Sequence, residues 1–425
     1  MKKNYRPRIA DKLLSRRLRS TGAVLIQGPK WCGKTTTAEQ YAGSIVYMDD
    51  SDSMEQNIEL ASLSPKRLLE GRTPRLIDEW QLAPKLWDAV RFEVDHRGGV
   101  GHFILTGSAV PVNTDGISHT GTGRFSWLTM RTMSLFESGE SVGEVSIGRL
   151  FDDQAYDVYS VNPLDIDKIA WLICRGGWPG ALMVEADVAL DLAYNYYDAV
   201  VNSDISRVDG ISRDPELAKR ILRSLARNQC AQVTINTVVS DISANDKLAS
   251  RDTVSSYINA LKKIFVLEDS LAWNPNLRSK SAVRTSDTRY FSDPSIGVAA
   301  LGLGPKDLID DLNTMGLFFE SMCIRDLRVY ADSLGGTVYH YRDKSGLECD
   351  AVIHLRNGKY GLVEIKLGGD KNIEEGADSL RQLALKIDSG KMKSPAFLMV
   401  LTGVGRYAYR RADGVCVVPI GCLKD

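Results

Sequence analysis

The chain has 425 residues, a net charge of −1 at pH 7 and 44% apolar side chains. This length predicts two to four domains, and the balance of apolar and charged residues is that of a soluble globular protein. No stretch approaches the ~18 apolar residues of a membrane span, and no apolar segment follows the basic start, so we expect no membrane association and no secretory signal. Seven scattered cysteines without a Cys-x-x-Cys pair argue against a disulfide framework or a zinc site and favour the cytoplasm.

The first twenty residues are strongly basic, with eight Lys or Arg against a single acid, Asp11. Such an arm can contact phosphates or an acidic partner. A solvated N-terminal helix fits the same pattern, so the charge alone does not choose between the two interpretations.

Residues 28–35 read Gly-Pro-Lys-Trp-Cys-Gly-Lys-Thr and fit the phosphate-loop pattern G-x-x-x-x-G-K-[ST]. An apolar run at 23–26 predicts a buried strand before the loop, and a helix opens at Thr35. Backbone N–H groups and the helix N-terminus then form a cradle for phosphate, Lys34 reaches the β and γ oxygens of ATP, and the Thr35 hydroxyl binds Mg²⁺. The predicted nucleotide-binding residues here are Gly28, Pro29, Lys30, Cys32, Gly33, Lys34, Thr35 and Thr36.

Two further strands carry polar residues at their ends. In the strand 75–79, Asp78 is predicted to bind Mg²⁺ with Thr35, and Glu79 to orient and deprotonate the attacking water. In the strand 102–106, Thr106 is a candidate sensor of the γ-phosphate or the water, although an ordinary strand-to-loop turn explains it equally well.

Residues 111–124 are rich in Gly, Ser, Thr and Asn and predict a mobile loop before a strand at 125–130. Arg124 stands at the start of that strand. We expect it to reach the nucleotide of a neighbouring subunit, where an arginine stabilises charge in the transition state. A surface arginine is the ordinary alternative, and Arg131 is a second candidate for the same role.

Together these motifs resemble an AAA+ ATPase. More narrowly, the chain resembles a large prokaryotic family of ATP-binding proteins with a C-terminal domain of unknown function, through the matching stretches 5–9, 77–81 and 134–137. The resemblance implies a parallel α/β sheet with helices on both faces and a helical lid. From Arg124 alone we expect self-association into a ring such as a hexamer. The resemblance also implies that a Gly-x-Pro element of the lid, here 177–179, places Pro179 near the nucleotide base. Trp178 either packs on adenine or fills the lid core.

The middle of the chain predicts helices. Asp214 and Pro215 begin a helix that runs to about residue 228. Residues 235–273 predict a winged helix-turn-helix, with helices at 235–242 and 250–263, a polar turn between them and a strand pair at 264–273. The second helix can enter the major groove of DNA, or serve as a protein contact. Its predicted DNA-binding residues are Arg251, Lys262 and Lys263.

The C-terminal region resembles the PD-(D/E)XK nuclease core. Asp350 lies on one predicted strand and Glu364 and Lys366 on the next, after a helix that carries Glu320. The resemblance implies a divalent metal held by Asp350, Glu364 and Glu320, with Lys366 activating water. The same fold also persists as a DNA-binding module without catalysis.

The expected organisation is therefore an AAA+ core at 1–160, a lid at 161–230, a winged helix and linker at 231–310, and a restriction-endonuclease-like α/β domain at 311–425. The leading hypothesis is an ATP hydrolase that remodels or translocates duplex or branched DNA in repair, recombination or defence. A nucleotide-dependent signalling switch and an ATP-licensed DNA nuclease are the alternatives.

Overall fold

The computed structural model describes residues 5–108, 121–243, 250–275, 286–387 and 392–425. The chain divides into two compact units. The first unit comprises Met1–Thr132, Ala199–Asp214 and Tyr257–Val266, and the second comprises Met133–Asp198, Pro215–Ser256 and Leu267–Asp425. Across the described segments, no helix has the length and apolar character needed to cross a membrane.

The regular elements follow one another along both units. The helices are α1 (Ile9–Leu18), α2 (Lys34–Glu39), α3 (Met54–Leu63), α4 (Pro65–Leu68), α5 (Lys85–Arg97), α6 (Leu135–Ser138), α7 (Ile147–Asp152), α8 (Ile166–Arg175), α9 (Asp191–Ala199), α10 (Ile205–Arg207), α11 (Pro215–Arg227), α12 (Ile235–Ser243), α13 (Arg251–Lys263), α14 (Pro294–Leu301), α15 (Pro305–Asp310), α16 (Leu312–Ser333) and α17 (Asp370–Lys386). The strands are β1 (Ala23–Gln27), β2 (Ser44–Tyr47), β3 (Arg75–Asp78), β4 (Phe103–Gly107), β5 (Phe125–Thr129), β6 (Val145–Ser146), β7 (Ser160–Val161), β8 (Leu267–Ser270), β9 (Thr288–Phe291), β10 (Gly336–Arg342), β11 (Glu348–Leu355), β12 (Tyr360–Lys366), β13 (Phe397–Thr402), β14 (Tyr407–Arg410), β15 (Cys416–Pro419) and β16 (Leu423–Lys424).

The first unit is built on a five-stranded parallel sheet in the order β2-β3-β4-β1-β5. Both faces of the sheet are covered, which explains the continuous apolar runs of its strands. On β1, Ala23 and Leu25 pack with α3, α4 and α5, whereas Val24 and Ile26 pack with α1 and α2. The sequence predicted β1, β3, β4 and β5 within a residue of their ends, and the parallel sheet is confirmed.

The basic N-terminal segment contains a helix with one buried face. Contact of its basic side chains with phosphates or an acidic partner stays a prediction. Helix α1 buries one face, through Ile9, Ala10, Leu14 and Leu18, and leaves Arg16 and Arg19 exposed. The predicted mobile loop at 111–124 lies mostly outside the described residues, which resume at Gly121.

The second unit contains a seven-stranded mixed sheet in the order β10-β11-β12-β13-β15-β14-β7. Strands β10, β11 and β12 are antiparallel, and β13 then joins β12 in parallel after α17. Helix α17 buries Ala377, Leu380 and Leu383 against Val352 and Leu362 of the sheet. The helix carrying Glu320 (α16), the strand carrying Asp350 (β11) and the strand carrying Glu364 and Lys366 (β12) follow one another as predicted.

The middle segment departs from its prediction at the wing. Helices α11, α12 and α13 form where the sequence predicted them, and residues 244–249 of the predicted turn lie outside the described residues. The strand pair expected inside 264–273 is wrong. Phe265 turns the chain in the left-handed region (φ 58°), only β8 follows, and its antiparallel partner is β9. The strand pairing is therefore long-range in sequence, between residues 267–270 and 288–291.

A buried ion cluster ties four segments of the second unit together. The Arg325 guanidinium lies 3.1 Å from an Asp293 oxygen and 2.7 Å from an Asp326 oxygen, and all three residues are buried. Asp293 also accepts the Gly177 N–H (2.9 Å), and Asp326 accepts the Leu135 N–H (2.8 Å). Each carboxylate therefore satisfies a charge and a backbone donor that burial would otherwise leave unpaired.

We expect Asp293→Ala to destabilise the second unit by about 3–5 kcal/mol, because it leaves the Arg325 charge buried with half of its compensation. Urea unfolding followed by tryptophan fluorescence measures the loss. Lys371→Ala removes one side of a surface pair in the same unit, in which Lys371 is 88% exposed, and should leave the midpoint unchanged. Equal midpoints for Asp293→Ala and the parent protein would contradict the role of the cluster.

Candidate nucleotide site

The phosphate loop lies at the carboxyl edge of the parallel sheet, between β1 and α2. Gly33 begins α2 in the left-handed region (φ 96°), a conformation that favours glycine. Gly28 approaches β5 so closely that a Cβ there would lie 2.0 Å from the Met130 carbonyl oxygen. The two glycines of the motif are thus required by the backbone of the loop itself.

Lys34 closes the loop on itself. Its buried ammonium donates to the carbonyl oxygens of Gly28 (3.0 Å) and Pro29 (2.7 Å), six and five residues earlier. These bonds satisfy the charge and place the ammonium across the mouth of the cradle formed by the loop.

One oxygen of the Asp78 carboxylate accepts hydrogen bonds from two hydroxyl groups. Thr35 of α2 donates to Asp78 Oδ1 at 2.8 Å, and the buried hydroxyl of Thr106 on β4 donates to the same atom. Burial raises the pKa of Asp78, the two hydroxyl hydrogen bonds oppose that rise, and the charges of Glu79 and Asp49 add to it. Thr35, Asp78 and Thr106, which the sequence predicted separately, therefore converge in the structure.

Glu79 stands next to this group in a left-handed conformation (φ 51°). Its Oε2 accepts a hydrogen bond from the Ser108 hydroxyl (3.1 Å) and another from the side-chain amide of Gln81. A non-glycine residue with this φ is uncommon and often marks a functional position. Two donors thus hold the carboxylate beside Asp78, where the sequence predicted a base.

Two other residues of the loop point elsewhere. The Lys30 ammonium pairs with Asp204 at 2.6 Å, and Asp204, of which 10% of the side chain is exposed, ends a π-helical turn at Val200–Asp204. Cys32 is buried, and its thiol contacts the Met130 carbonyl at 3.4 Å. In this structure Lys30 joins the loop to the 199–214 segment, and Cys32 packs behind the loop, so direct nucleotide contact by their side chains stays a prediction.

Arg124 lies at the amino end of β5, whereas the phosphate loop lies at the carboxyl end of β1 beside it. Its Nε donates to Asp95 Oδ1 at 2.7 Å, and the side chain is 44% exposed. Because β1 and β5 are parallel, Arg124 is on the opposite edge of the sheet from its own phosphate loop. A role at a neighbouring subunit stays a prediction.

Trp178 of the predicted lid element fills the core of the second unit. Its ring is buried against Tyr196 at a centroid distance of 4.3 Å, and its indole N–H donates to the Ser295 hydroxyl at 3.0 Å. The structure thus supports the core interpretation and corrects the one in which Trp178 stacks on adenine. Pro179 begins the short 3₁₀ helix Pro179–Leu182, and its contact with a nucleotide stays a prediction.

A second constellation forms on the C-terminal sheet. The Lys366 ammonium lies 2.7 Å from a Glu364 oxygen and 3.7 Å from an Asp350 oxygen, and Asp350 accepts the Ile365 N–H at 2.7 Å. Burial raises the pKa of Glu364 to about 8, with the Asp350 charge adding to the effect and Lys366 opposing it. Glu320 on α16 accepts the Tyr290 hydroxyl at 2.8 Å, and burial raises its pKa far above the usual range.

The predicted metal ligands of this constellation are not arranged as a cage. Among the described residues, no group of three or more His, Cys, Asp or Glu side chains is placed to hold a metal ion. Lys366 is bonded to Glu364 instead, and Glu320 to Tyr290. Metal binding by Asp350, Glu364 and Glu320 stays a prediction.

The predicted DNA-binding residues are spread along α13. Arg251 is exposed in its first turn, and Lys262 and Lys263 are half-buried in its last turn. Arg251 thus lies at one end of the helix, and Lys262 and Lys263 at the other. Their contact with DNA stays a prediction.

Comparison with known proteins agrees with the geometry of the first site. Residues 20–138 match the family model described as an AAA domain. Residues 166–307 and 315–423 match models described as domains of unknown function, DUF8612 and DUF4143. A solved structure, the Walker-type ATPase PABY2304 of Pyrococcus abyssi, is similar at 14% identity and a TM-score of 0.44, over 68% of this chain and 94% of that chain. No curated protein matches. Residues 20–138 are thus similar to an AAA domain, and that range contains the phosphate loop and the five parallel strands of the first unit.

Sequence reasoning missed two partners of the site. Gln81 follows Glu79 by two residues, so its position beside the predicted base was a usable local signal. Asp204 lies 174 positions from Lys30, and nothing in the sequence between them indicates the pairing.

We expect Gly28→Ala to destabilise the first unit by roughly 3 kcal/mol, because its Cβ overlaps the Met130 carbonyl and forces β1 and β5 apart. The matched control is Gly358→Ala, at a left-handed glycine (φ 84°) with open space around it. That control should lose only about 1 kcal/mol, from its backbone conformation. Urea unfolding compares the two variants, and equal losses would show that the close approach at Gly28 has no cost.

Proposed function

We propose that this protein is a magnesium-dependent ATP hydrolase. The observation that carries the proposal is the Thr35–Asp78 hydrogen bond of 2.8 Å, which joins the first turn of the phosphate-loop helix to the end of β3. A phosphate loop alone supports only nucleotide binding. A loop hydroxyl bonded to a strand carboxylate, with Glu79 adjacent, supports hydrolysis as well.

The residues at this point fit Mg²⁺. The Thr35 hydroxyl and the Asp78 carboxylate are hard oxygen donors already within hydrogen-bond distance, and Mg²⁺ commonly takes only one or two ligands from the protein. Bound there, Mg²⁺ would neutralise charge on the β- and γ-phosphate oxygens. Thr106 shares the Asp78 oxygen with Thr35, so it keeps that carboxylate oriented towards α2.

Lys34 and Glu79 would supply phosphate binding and proton abstraction. Lys34, now satisfied by two loop carbonyls, would exchange them for phosphate oxygens when ATP enters the cradle. Glu79 would take a proton from the attacking water, because its carboxylate is held in place by Ser108 and Gln81. The present hydrogen bonds of Lys34 and Glu79 thus keep both side chains in the positions that these roles need.

We expect Glu79→Gln to lower the rate of ATP hydrolysis at saturating ATP by about 100-fold or more, since the base is lost. Binding of Mg·ATP should stay near that of the parent protein, because Glu79 does not hold phosphate. Lys34→Ala should instead weaken binding. Phosphate release and calorimetric titration measure the two quantities.

The control is Glu70→Gln, which removes an exposed carboxylate from the same unit. It should leave both quantities unchanged. A parent protein that neither binds nor hydrolyses ATP would refute the proposal, and full hydrolysis by Glu79→Gln would refute the role of the base.

We further propose that DNA is the target on which the hydrolysis acts. Support comes from the C-terminal module, in which Asp350, Glu364 and Lys366 converge on the sheet. The helix with Glu320, the strand with Asp350 and the strand with Glu364 and Lys366 follow one another in the order that the resemblance to PD-(D/E)XK nucleases implied. That convergence also favours a second candidate function, metal-dependent cleavage of DNA. Assembly into a ring with Arg124 at the neighbouring site remains part of this proposal.

Duplex or branched DNA is expected to raise the ATPase rate several-fold at low salt, with the effect weakening as salt displaces the phosphate contacts. Arg251→Ala should reduce the stimulation, and Arg72→Ala, at an exposed arginine of the first unit, should not. No stimulation and no gel shift with either DNA would contradict the DNA assignment.

The same mixtures, run on a gel after incubation with Mg²⁺, test cleavage. Nicking that Lys366→Met abolishes would support the nuclease candidate. Intact DNA with the parent protein would limit the C-terminal module to binding.

A further inference from the structure

The side chain of Arg8 joins the N-terminal segment to the phosphate loop. Arg8 precedes α1, and its side chain is 94% buried. One guanidinium nitrogen donates to the Cys32 carbonyl at 2.9 Å, and the other donates to the Arg131 carbonyl at 2.9 Å. The first carbonyl belongs to the loop, and the second belongs to the chain just after β5. The guanidinium thus bridges the phosphate loop and the chain that follows β5.

Peptide geometry gives the first of these bonds a consequence for the cradle. The C=O of residue 32 and the N–H of residue 33 belong to one planar trans peptide, and they point in opposite directions. Because Arg8 holds the Cys32 carbonyl on the buried side, the Gly33 N–H is turned to the opposite side. Gly33 has the freedom to let this peptide rotate, since its φ of 96° is open to glycine. The bond from Arg8 to the Cys32 carbonyl therefore fixes the orientation of the Gly33 N–H.

The same segment holds the helix that follows the loop. The Tyr5 hydroxyl donates to Asp11 Oδ1 at 2.8 Å and lies 3.0 Å from the Thr37 hydroxyl of α2. Asp11 Oδ2 accepts the backbone N–H of Arg8 at 2.7 Å, which fixes the start of the arginine side chain. Residues 5–11 thus contact both the loop and α2, and they keep Arg8 in place.

We propose that Arg8 is a positioning residue for nucleotide binding: it holds the Cys32–Gly33 peptide with the Gly33 N–H directed at phosphate. The inference rests on the proposed ATP-binding function. Without Arg8, the peptide samples orientations in which its N–H is lost to the cradle, and bound phosphate must restore it. The loss of Arg8 therefore weakens the binding of nucleotide. Once nucleotide is bound, phosphate itself orders the peptide, so the saturated rate is little changed.

A purely structural role for Arg8 gives a different result. Loss of packing would lower the melting temperature and the fraction of active protein, and so would lower kcat while leaving the dissociation constant of the folded fraction unchanged. The ratio of the effects on KM and kcat therefore separates the two roles.

The test compares the parent protein, Arg8→Ala and Arg16→Ala, which removes an exposed arginine from α1. Titration with Mg·ADP and steady-state kinetics with Mg·ATP are both measured. We expect Arg8→Ala to raise the dissociation constant and KM roughly tenfold, the effect of losing one charge-assisted hydrogen bond, with kcat within about threefold. Arg16→Ala should match the parent protein.

Chemical rescue adds a readout that packing alone would not move. Guanidinium ion at tens of millimolar should restore Mg·ADP binding to Arg8→Ala and leave Lys34→Ala unchanged, with sodium chloride as the ionic control. If Arg8→Ala does not fold, Arg8→Met, which keeps the aliphatic stem but has no donor, carries the same expectation for binding.

The outcomes separate this inference from the proposed function. A parent protein that binds no Mg·ADP refutes the ATP-binding function and the inference with it. A parent protein that binds, together with an Arg8→Ala or Arg8→Met variant of equal affinity, overturns the inference alone. A fall in kcat with unchanged KM overturns it as well.

Discussion

The nucleotide site depends on the parallel pairing of β1 with β4 on one side and β5 on the other. Parallel strands end at the same edge of a sheet, so this pairing brings the phosphate loop to the polar residues that follow its neighbours. It also sets the close approach of Gly28 to Met130, which only glycine permits. The packing of the sheet alone therefore constrains the loop sequence, apart from any ligand.

The buried carboxylates of the two sites, Asp78 and Glu364, have different kinds of partner. Asp78 is compensated by the hydroxyl groups of Thr35 and Thr106, which are neutral and supply no positive charge. Glu364 is compensated by Lys366, whose ammonium already supplies the positive charge. The proposed Mg²⁺ would thus supply the positive charge that the first arrangement lacks, whereas the second already contains one. This difference is why the ATPase proposal has firmer support than the nuclease candidate.

The sequence predicted features that depend on local pattern and missed those that depend on distant pairing. The motif at 28–35 and the acids after β3 were predictable because residue type and spacing carry their chemistry. The strand pair at 264–273 was wrong because β8 finds its partner at 288–291. Trp178 fitted two interpretations until its burial against Tyr196 was known. Arg8 was one of eight basic residues in an arm, and its contacts 24 and 123 positions away had no local signal.

The central claim is that Thr35 and Asp78 form a magnesium site that acts with the phosphate loop. Calorimetric titration of an unhydrolysable ATP analogue, with and without Mg²⁺, tests it most directly on the parent protein and Thr35→Val. We predict that Mg²⁺ strengthens binding to the parent protein, and that Thr35→Val, which removes the hydroxyl at similar volume, loses most of this gain. Binding that is independent of Mg²⁺, or a gain that Thr35→Val retains in full, would contradict the account.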